Sequence, residues 1–440
     1  MRVDELAGMP NVQALLADRG VTFDQSLVVN PLCCPARSTI LTGGTSGQTG
    51  IWANFGHHGG FPAFERRGEE SSTLATWLSS AGYATSLDGK YLNDYTSADI
   101  GHVPPGWSDW HALALGTGGS GGEGRNGYFQ YKTSDNGVAT YHGTKQSAYS
   151  TTVLGGDVVG FIRATPAGTP LFAEYAPRAP HWPALVEDAH LGGCTDVSGV
   201  PRSPAWNEPD VSDKPAYIAT IPPATQHQIR HTDALYVRMC QTLLSVDDQV
   251  GDIVTALEDT GRLANSLIIF TSDNGIELLE HRWDGKNVPY EESIRVPLVI
   301  RYDPMTASQA GSHDHHLVQN LDLAPTIAAA AGVAAPGATG QNLLQLLSGD
   351  DSGWPLERLI EHWQPPGGVA SPSFCGVRTA QYTYAQYATG EEELYDLSAD
   401  PLELDNRAGD AGMQELRAQL HGDAMALCRP RPPQWPRTIR

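Results

Sequence analysis

Apolar positions recur along this chain in two rhythms. Runs of strand length appear at 83–87 (YATSL), 171–175 (LFAEY), 266–270 (SLIIF) and 295–300 (RVPLVI). Between them, residues 11–19, 74–80, 154–162, 235–257 and 321–330 repeat apolar side chains at helical spacing. Pro10 and Gly20 bracket the first helix, and Gly82 ends the second. Such alternation predicts an α/β fold, a large doubly wound mixed sheet flanked by helices. After a Pro/Gly/Asp-rich stretch at 335–355 come strand-like runs at 376–379, 382–386 and 393–397, the turn Asp400-Pro401 and a helix near 413–420. These predict a small C-terminal α+β subdomain. The expected organisation is a catalytic α/β domain over residues 1–350 and an antiparallel-sheet-plus-helix unit over 355–440. Residues 116–127 are glycine-rich without the strand-to-helix context of a nucleotide loop, and read as a flexible loop.

Composition narrows the partners. A chain of 440 residues, 40% hydrophobic, can bury a large core, and its lack of a long apolar run predicts no membrane helix. A net charge of −22 argues against nucleic acid and anionic membrane surfaces. Any cationic pocket must therefore be local. Only Lys90, Lys132, Lys145, Lys214 and Lys286 are lysines, so arginine supplies most of the positive charge. Lys90 and Lys286 fall in motifs, while the other three read as solvated loop charges. The six cysteines lack metal-type spacing and are too few for a disulfide scaffold. Cys375 with Cys428 is one conceivable pair, although connectivity cannot be derived from sequence. Residues 1–5 do not read as a signal peptide.

Five segments carry candidate chemistry. Cys33-Cys34-Pro35-Ala36-Arg37 is followed by Leu41-Thr42-Gly43; alone, it would read as packing or a disulfide element. Asp88-Gly89-Lys90-Tyr91-Leu92-Asn93 follows one strand, and Ala176-Pro177-Arg178-Ala179-Pro180-His181 follows another. Thr271-Ser272-Asp273-Asn274-Gly275 follows the apolar run 266–270, where carboxylate and amide oxygens suit a hard cation. The same five residue types recur at Thr133–Gly137 between strand-like flanks; there they read as a hairpin turn. Lys286-Asn287-Val288-Pro289-Tyr290-Glu291-Glu292-Ser293 leads into Arg295-Val296-Pro297-Leu298. Beside Asp284 and Glu291, Lys286 could also be an ordinary surface ion pair.

In order and spacing these segments resemble the type I, formylglycine-dependent sulfatases of the alkaline-phosphatase superfamily. The match includes C-x-P-x-R-x-x-x-L-T-G and K-x-x-x-Y-E-E-S-x-R-V-P-L, and the segment Glu393–Leu397 with Asp400-Pro401 resembles the sulfatase C-terminal subdomain. The Gly-Lys-Tyr-Leu-Asn variant at 89–93 looks like the N-acetylglucosamine-6-sulfatase branch. The resemblance implies an alkaline-phosphatase-like sheet. It also implies that a formylglycine-generating enzyme oxidises Cys33 to 3-oxoalanine (formylglycine), whose hydrated aldehyde attacks sulfur. Asp273, Asn274 and residue 33 would bind one Ca²⁺ or Mg²⁺. Arg37 would fix the modified residue, Lys90 and Lys286 would hold sulfate oxygens, and His181 would bind sulfate or protonate the leaving oxygen. Asn93 takes the place of a family histidine, and His281 is a further candidate for substrate contact.

One departure concerns the start. In the family, an apolar strand ending in Asp-Asp precedes the first helix and supplies metal ligands, and Asp4-Glu5 is no substitute. Its absence predicts unpaired backbone on neighbouring strands. An upstream start is expected, with a secreted or cell-envelope location if a longer natural N-terminus exists. The expected activity is hydrolysis of a sulfate monoester, an aryl sulfate or sulfated amino sugar, to alcohol and inorganic sulfate. The alternatives are a phosphate or phosphonate monoester hydrolase, or an inactive sulfoglycan-binding homologue.

Overall fold

A computed structural model describes residues 1–115, 127–365 and 371–439. All of the predicted glycine-rich loop except Gly127 lies outside the described residues. In chain order the strands are β1 (Val21–Leu27), β2 (Ala84–Gly89), β3 (Asp109–Ala114), β4 (Tyr131–Asp135), β5 (Val138–His142), β6 (Leu171–Ala176) and β7 (Leu267–Thr271). They continue as β8 (Glu277–Leu278), β9 (Asp284–Gly285), β10 (Leu298–Tyr302), β11 (Ser312–Gln319), β12 (Glu357–His362), β13 (Phe374–Thr379), β14 (Tyr382–Tyr387) and β15 (Glu392–Asp396).

Two mixed sheets form the α/β part. One has the order β11-β1-β10-β7, and the other β5-β4-β3-β2-β6. β2 runs parallel to both β3 and β6, which places the segments after β2 and β6 at the same end. The helices Ser150–Ala164 and Gln226–Asp259 bury Val158, Ile162, Ala256 and Leu257 against Leu171, Ala173 and Ile268. The Thr-Ser-Asp-Asn-Gly motif occurs twice. Its first copy closes the β4–β5 hairpin, with Asn136 and Gly137 both at positive φ (51° and 85°), as a type I′ turn requires.

β6 and β7 are the outer strands of their sheets. Tyr175 of β6 and Ile268 of β7 pack into the same apolar clusters, yet no ladder joins the strands. Every residue of β7 is partly exposed, whereas a parallel-type apolar strand flanked on both sides would be buried.

Near the N-terminus, the predicted helix 11–19 is a π turn, Val12–Leu16, running into a 3₁₀ turn, Ala17–Arg19. Asp247 of the long helix accepts from the backbone N–H groups of Asn11 and Val12 at 2.9 and 2.8 Å, satisfying the start of those turns. The C-terminal sheet β12-β13-β14-β15 is antiparallel throughout, and the helix Gln414–Leu427 packs on it. β12 was missed in the sequence. Cys375 and Cys428 form a disulfide here, and Cys194 and Cys240 form a second one not foreseen. Lys214 is corrected. It is buried rather than solvated, and donates to the carbonyls of Glu403 and Leu404 at 2.9 and 2.8 Å. No helix among the described residues is long and apolar enough to cross a membrane.

Candidate active site

The ends of β2, β6 and β7 and the start of one helix converge on Cys33. That helix, Cys33–Thr42, begins after an extended Leu32, carries Pro35 in its first turn, and ends at Gly43 in the left-handed region (φ 67°). Cys33 thus occupies the first helical position, where backbone N–H groups favour negative charge. Gly89 precedes Lys90 at φ 134°, and a Cβ there would sit 2.0 Å from the Ala176 carbonyl oxygen. Only glycine lets β2 close on β6 and still deliver Lys90.

Lys286 donates to Cys33 Sγ at 3.3 Å and to Asn274 Oδ1 at 3.2 Å, so it is not a surface ion pair. His181 favours the ionised form of the same sulfur. Its Nδ1 is 2.8 Å from the Trp182 carbonyl oxygen, which assigns the proton to Nδ1 and leaves Nε2 as an acceptor. Asp273 faces Arg37 Nη1 at 3.6 Å and Lys90 Nζ at 3.9 Å. Arg37 donates from Nε to the Tyr91 carbonyl and from Nη2 to the Lys90 carbonyl, and also pairs with Glu174 at 3.4 Å. The planar fork of Arg37 therefore locks the segment carrying Lys90 against the first helix.

Charge divides the adjacent cysteines. Burial opposes ionisation of Cys33, but Lys286 and Lys90 overcome it and pull the thiol well below its usual value. Cys34, equally buried and reached by Lys90 but not by Lys286, is pushed up to about 12 by that burial. Burial likewise opposes the Asp273 carboxylate, yet Lys90, Lys286 and Arg37 hold it below the usual range. His181 is brought down to about 4 by burial, so its imidazole is neutral at pH 7.

The seven residues singled out in the sequence, Cys33, Arg37, Lys90, His181, Asp273, Asn274 and Lys286, are all brought to this place. One further candidate is not. His281 is fully buried, with Nδ1 2.7 Å from Glu208 and its ring 4.2 Å from that of Tyr290, so it has no route to a substrate. The backbone of Asn93 lies beside Cys34. Asp4 and Glu5 turn to Arg2 and do not join Asp273. The Met1 ammonium donates to Ser272 Oγ and to the Asn274 carbonyl, each at 3.0 Å. Glu174 was missed, although a lone charge in the apolar run LFAEY was the available signal.

The residues present fit a divalent cation incompletely. Asp273 and Asn274 offer two oxygen donors, whereas Ca²⁺ takes about 6–8. Among the described residues no group of three or more His, Cys, Asp or Glu could hold a metal.

The Sulfatase family model matches residues 4–333. The chain belongs to the sulfatase family. A second model, N-sulphoglucosamine sulphohydrolase C-terminal, matches residues 279–429 of this sulfatase. An arylsulfatase of Volvox carteri is 30% identical over 88% of the chain and 66% of its own length. The N-acetylglucosamine-6-sulfatase of Bos taurus is 30% identical over 92% of the chain and 78% of its own length. Sulfatases are sulfuric ester hydrolases, and the second of these relatives carries the name of the branch that the segment 89–93 resembles. Two solved structures share the alkaline-phosphatase-like fold. One, in complex with its substrate D-glucosamine-2-N,6-O-disulfate, has a TM-score of 0.77 at 23% identity, covering 95% of this chain and 92% of that one. The other, the phosphonate monoester hydrolase of Agrobacterium radiobacter, has a TM-score of 0.73 at 22% identity, covering 97% and 93%.

Proposed function

We propose that this sulfatase hydrolyses the sulfate monoester of a sulfated amino sugar, using residue 33 in its formylglycine form as nucleophile. The carrying observation is the approach of Lys286 to Cys33, whose ionised form His181 also favours, with Cys34 beside it kept a neutral thiol by burial. Formylglycine supplies a hydrated aldehyde, one hydroxyl of which attacks sulfur while the other later releases sulfate.

The chain's own side chains do the rest. Neutral His181 has Nε2 free to accept the proton of the attacking hydroxyl. Lys90 and Lys286 stabilise the negative charge that grows on the sulfuryl and leaving oxygens, in a buried setting where such charges act strongly. Arg37 positions Lys90 through two backbone carbonyls. Asp273 and Asn274 would supply two of the oxygens around a Ca²⁺ or Mg²⁺, which would add positive charge beside residue 33.

The amino-sugar substrate is supported by the N-acetylglucosamine-6-sulfatase of Bos taurus among the relatives and by Gly89-Lys90-Tyr91-Leu92-Asn93. The test is turnover by protein co-expressed with a formylglycine-generating enzyme, comparing N-acetylglucosamine 6-sulfate, an aryl sulfate, and an aryl phosphonate monoester. Preference for the sugar sulfate is expected; preference for the phosphonate ester would overturn the reading.

A further inference from the structure

Three tyrosine hydroxyls converge on one carboxylate where the segment carrying Lys286 meets the C-terminal sheet. Glu393 and Tyr395, two apart on β15, point to the same face, and Tyr387 comes from the adjoining β14. Tyr290 and Tyr395 each donate to Glu393 Oε1 at 2.7 Å, and Tyr387 donates to Oε2. All four side chains are buried. Val288 and Tyr290 pack with Tyr395 in one apolar cluster. An apolar side chain at 393 would fill this junction without taking a carboxylate out of water. What the carboxylate adds is direction.

Two routes lead from Glu393 to Lys286. The first runs through Tyr290, four residues on from Lys286 and immediately before the short helix Glu291–Ile294. Glu403 accepts from the Glu291 N–H at 2.9 Å, and Arg378 pairs with the Glu291 carboxylate at 2.9 Å. The carbonyls of Glu292 and Ser293 accept from Ile276 and Gly275 at 2.7 and 3.0 Å, beside Asn274. The second route runs through side chains. Tyr387 already donates to Glu393, so the proton between Tyr387 and Tyr217, 3.0 Å apart, belongs to Tyr217. The Tyr217 ring meets Trp283 edge-on at 5.5 Å, and Trp283 Nε1 donates to the Lys286 carbonyl at 3.0 Å. Both ends of the segment 286–290 are thus tied to the same carboxylate. From there Lys286 Nζ reaches Cys33 Sγ at 3.3 Å and Asn274 Oδ1 at 3.2 Å.

We propose that Glu393 is a positioning residue, which fixes the segment 286–290 so that the Lys286 ammonium stands at residue 33. A lysine carries its charge on a flexible four-carbon stem, so its placement depends on how firmly its backbone is held. This role rests on the sulfatase reading for its kinetic part only, since the reactivity of the unmodified Cys33 does not depend on that reading.

The test compares Tyr290→Phe with Tyr395→Phe in the full chain. Each removes one hydroxyl from the same oxygen of Glu393, but only Tyr290 belongs to the segment that delivers Lys286. Alkylation of Cys33 by iodoacetamide at pH 6, read by peptide mass, is expected to slow roughly 3- to 10-fold in Tyr290→Phe and to stay within about twofold of wild type in Tyr395→Phe. Glu393→Leu, which breaks both routes, slows it at least as much as Tyr290→Phe. In the modified enzyme Tyr290→Phe loses roughly 10-fold in kcat for an aryl sulfate with KM nearly unchanged, as a charge misplaced in the transition state requires. Wild-type alkylation and kcat in Tyr290→Phe, or equal losses in Tyr290→Phe and Tyr395→Phe, would make Glu393 a packing residue and overturn the proposal. Alkylation that responds as expected, with no turnover of any sulfate ester by the modified wild type, would overturn the sulfatase reading alone.

Discussion

Lys286 and Cys33, 253 positions apart in the chain, meet at 3.3 Å, and the same ammonium holds Asn274 at 3.2 Å. One cation thus joins the start of the first helix to the end of β7. Replacing it removes the largest attraction that keeps the unmodified Cys33 thiol ionised. In Lys286→Met the Cys33 thiol is expected to titrate at least about one pH unit higher, read by thiolate absorbance or alkylation rate. The modified enzyme should lose roughly 10²- to 10³-fold in kcat. An unchanged thiol titration would contradict the geometry.

His181 sets an acid limit. Its imidazole, brought to about 4 by burial, accepts a proton from the nucleophile only while it is neutral. The kcat/KM profile should therefore stay level as pH falls from 7 and drop only near 4. A profile that already falls near the ordinary histidine value of about 6.5 would mean that His181 is solvated or plays another role.

Much of this was legible in the sequence because the chemistry sits in contiguous motifs. A Lys after a strand, an Asp-Asn after an apolar run and a Cys-x-Pro-x-Arg helix start each carry their own local geometry. Strand and helix types were readable for the same reason, and even the two copies of Thr-Ser-Asp-Asn-Gly separated by flanking pattern. What escaped depends on distant partners. Lys214 looked like a loop charge because its acceptors, the carbonyls of Glu403 and Leu404, are nearly two hundred residues away. His281 looked available because nothing local reveals Glu208 beneath it. Cys194–Cys240 spans 46 positions between a loop and a helix and leaves no local mark.

The buried lysine gives a stability prediction. Lys214→Met leaves the carbonyls of Glu403 and Leu404 without their donor, and should cost about 2–4 kcal/mol in denaturant unfolding. A cost under about 0.5 kcal/mol would return Lys214 to the surface charge first expected.

Asp88 offers a pH test away from the nucleophile. It lies in register with His111, which in turn lies opposite Asp135, and burial raises its carboxyl to about 8. Between the unfolded value of about 3.9 and about 8 the folded chain keeps a proton that the unfolded chain releases, so this group lowers stability as pH rises through that window. In Asp88→Asn that loss disappears. The variant should gain on the wild type from pH 5 to pH 8, by about 4 kcal/mol at the upper end. A difference that stays constant across that range would show that Asp88 ionises freely in the folded state.

The central claim is that residue 33, once oxidised, is the nucleophile. The direct measurement is sulfate release from an aryl sulfate by chain co-expressed with a formylglycine-generating enzyme, with Cys33→Ala beside it and the residue-33 peptide checked by mass for the aldehyde. The account predicts turnover that tracks the aldehyde fraction and vanishes in Cys33→Ala. Turnover that survives in Cys33→Ala, or none in a chain fully converted at residue 33, would contradict it.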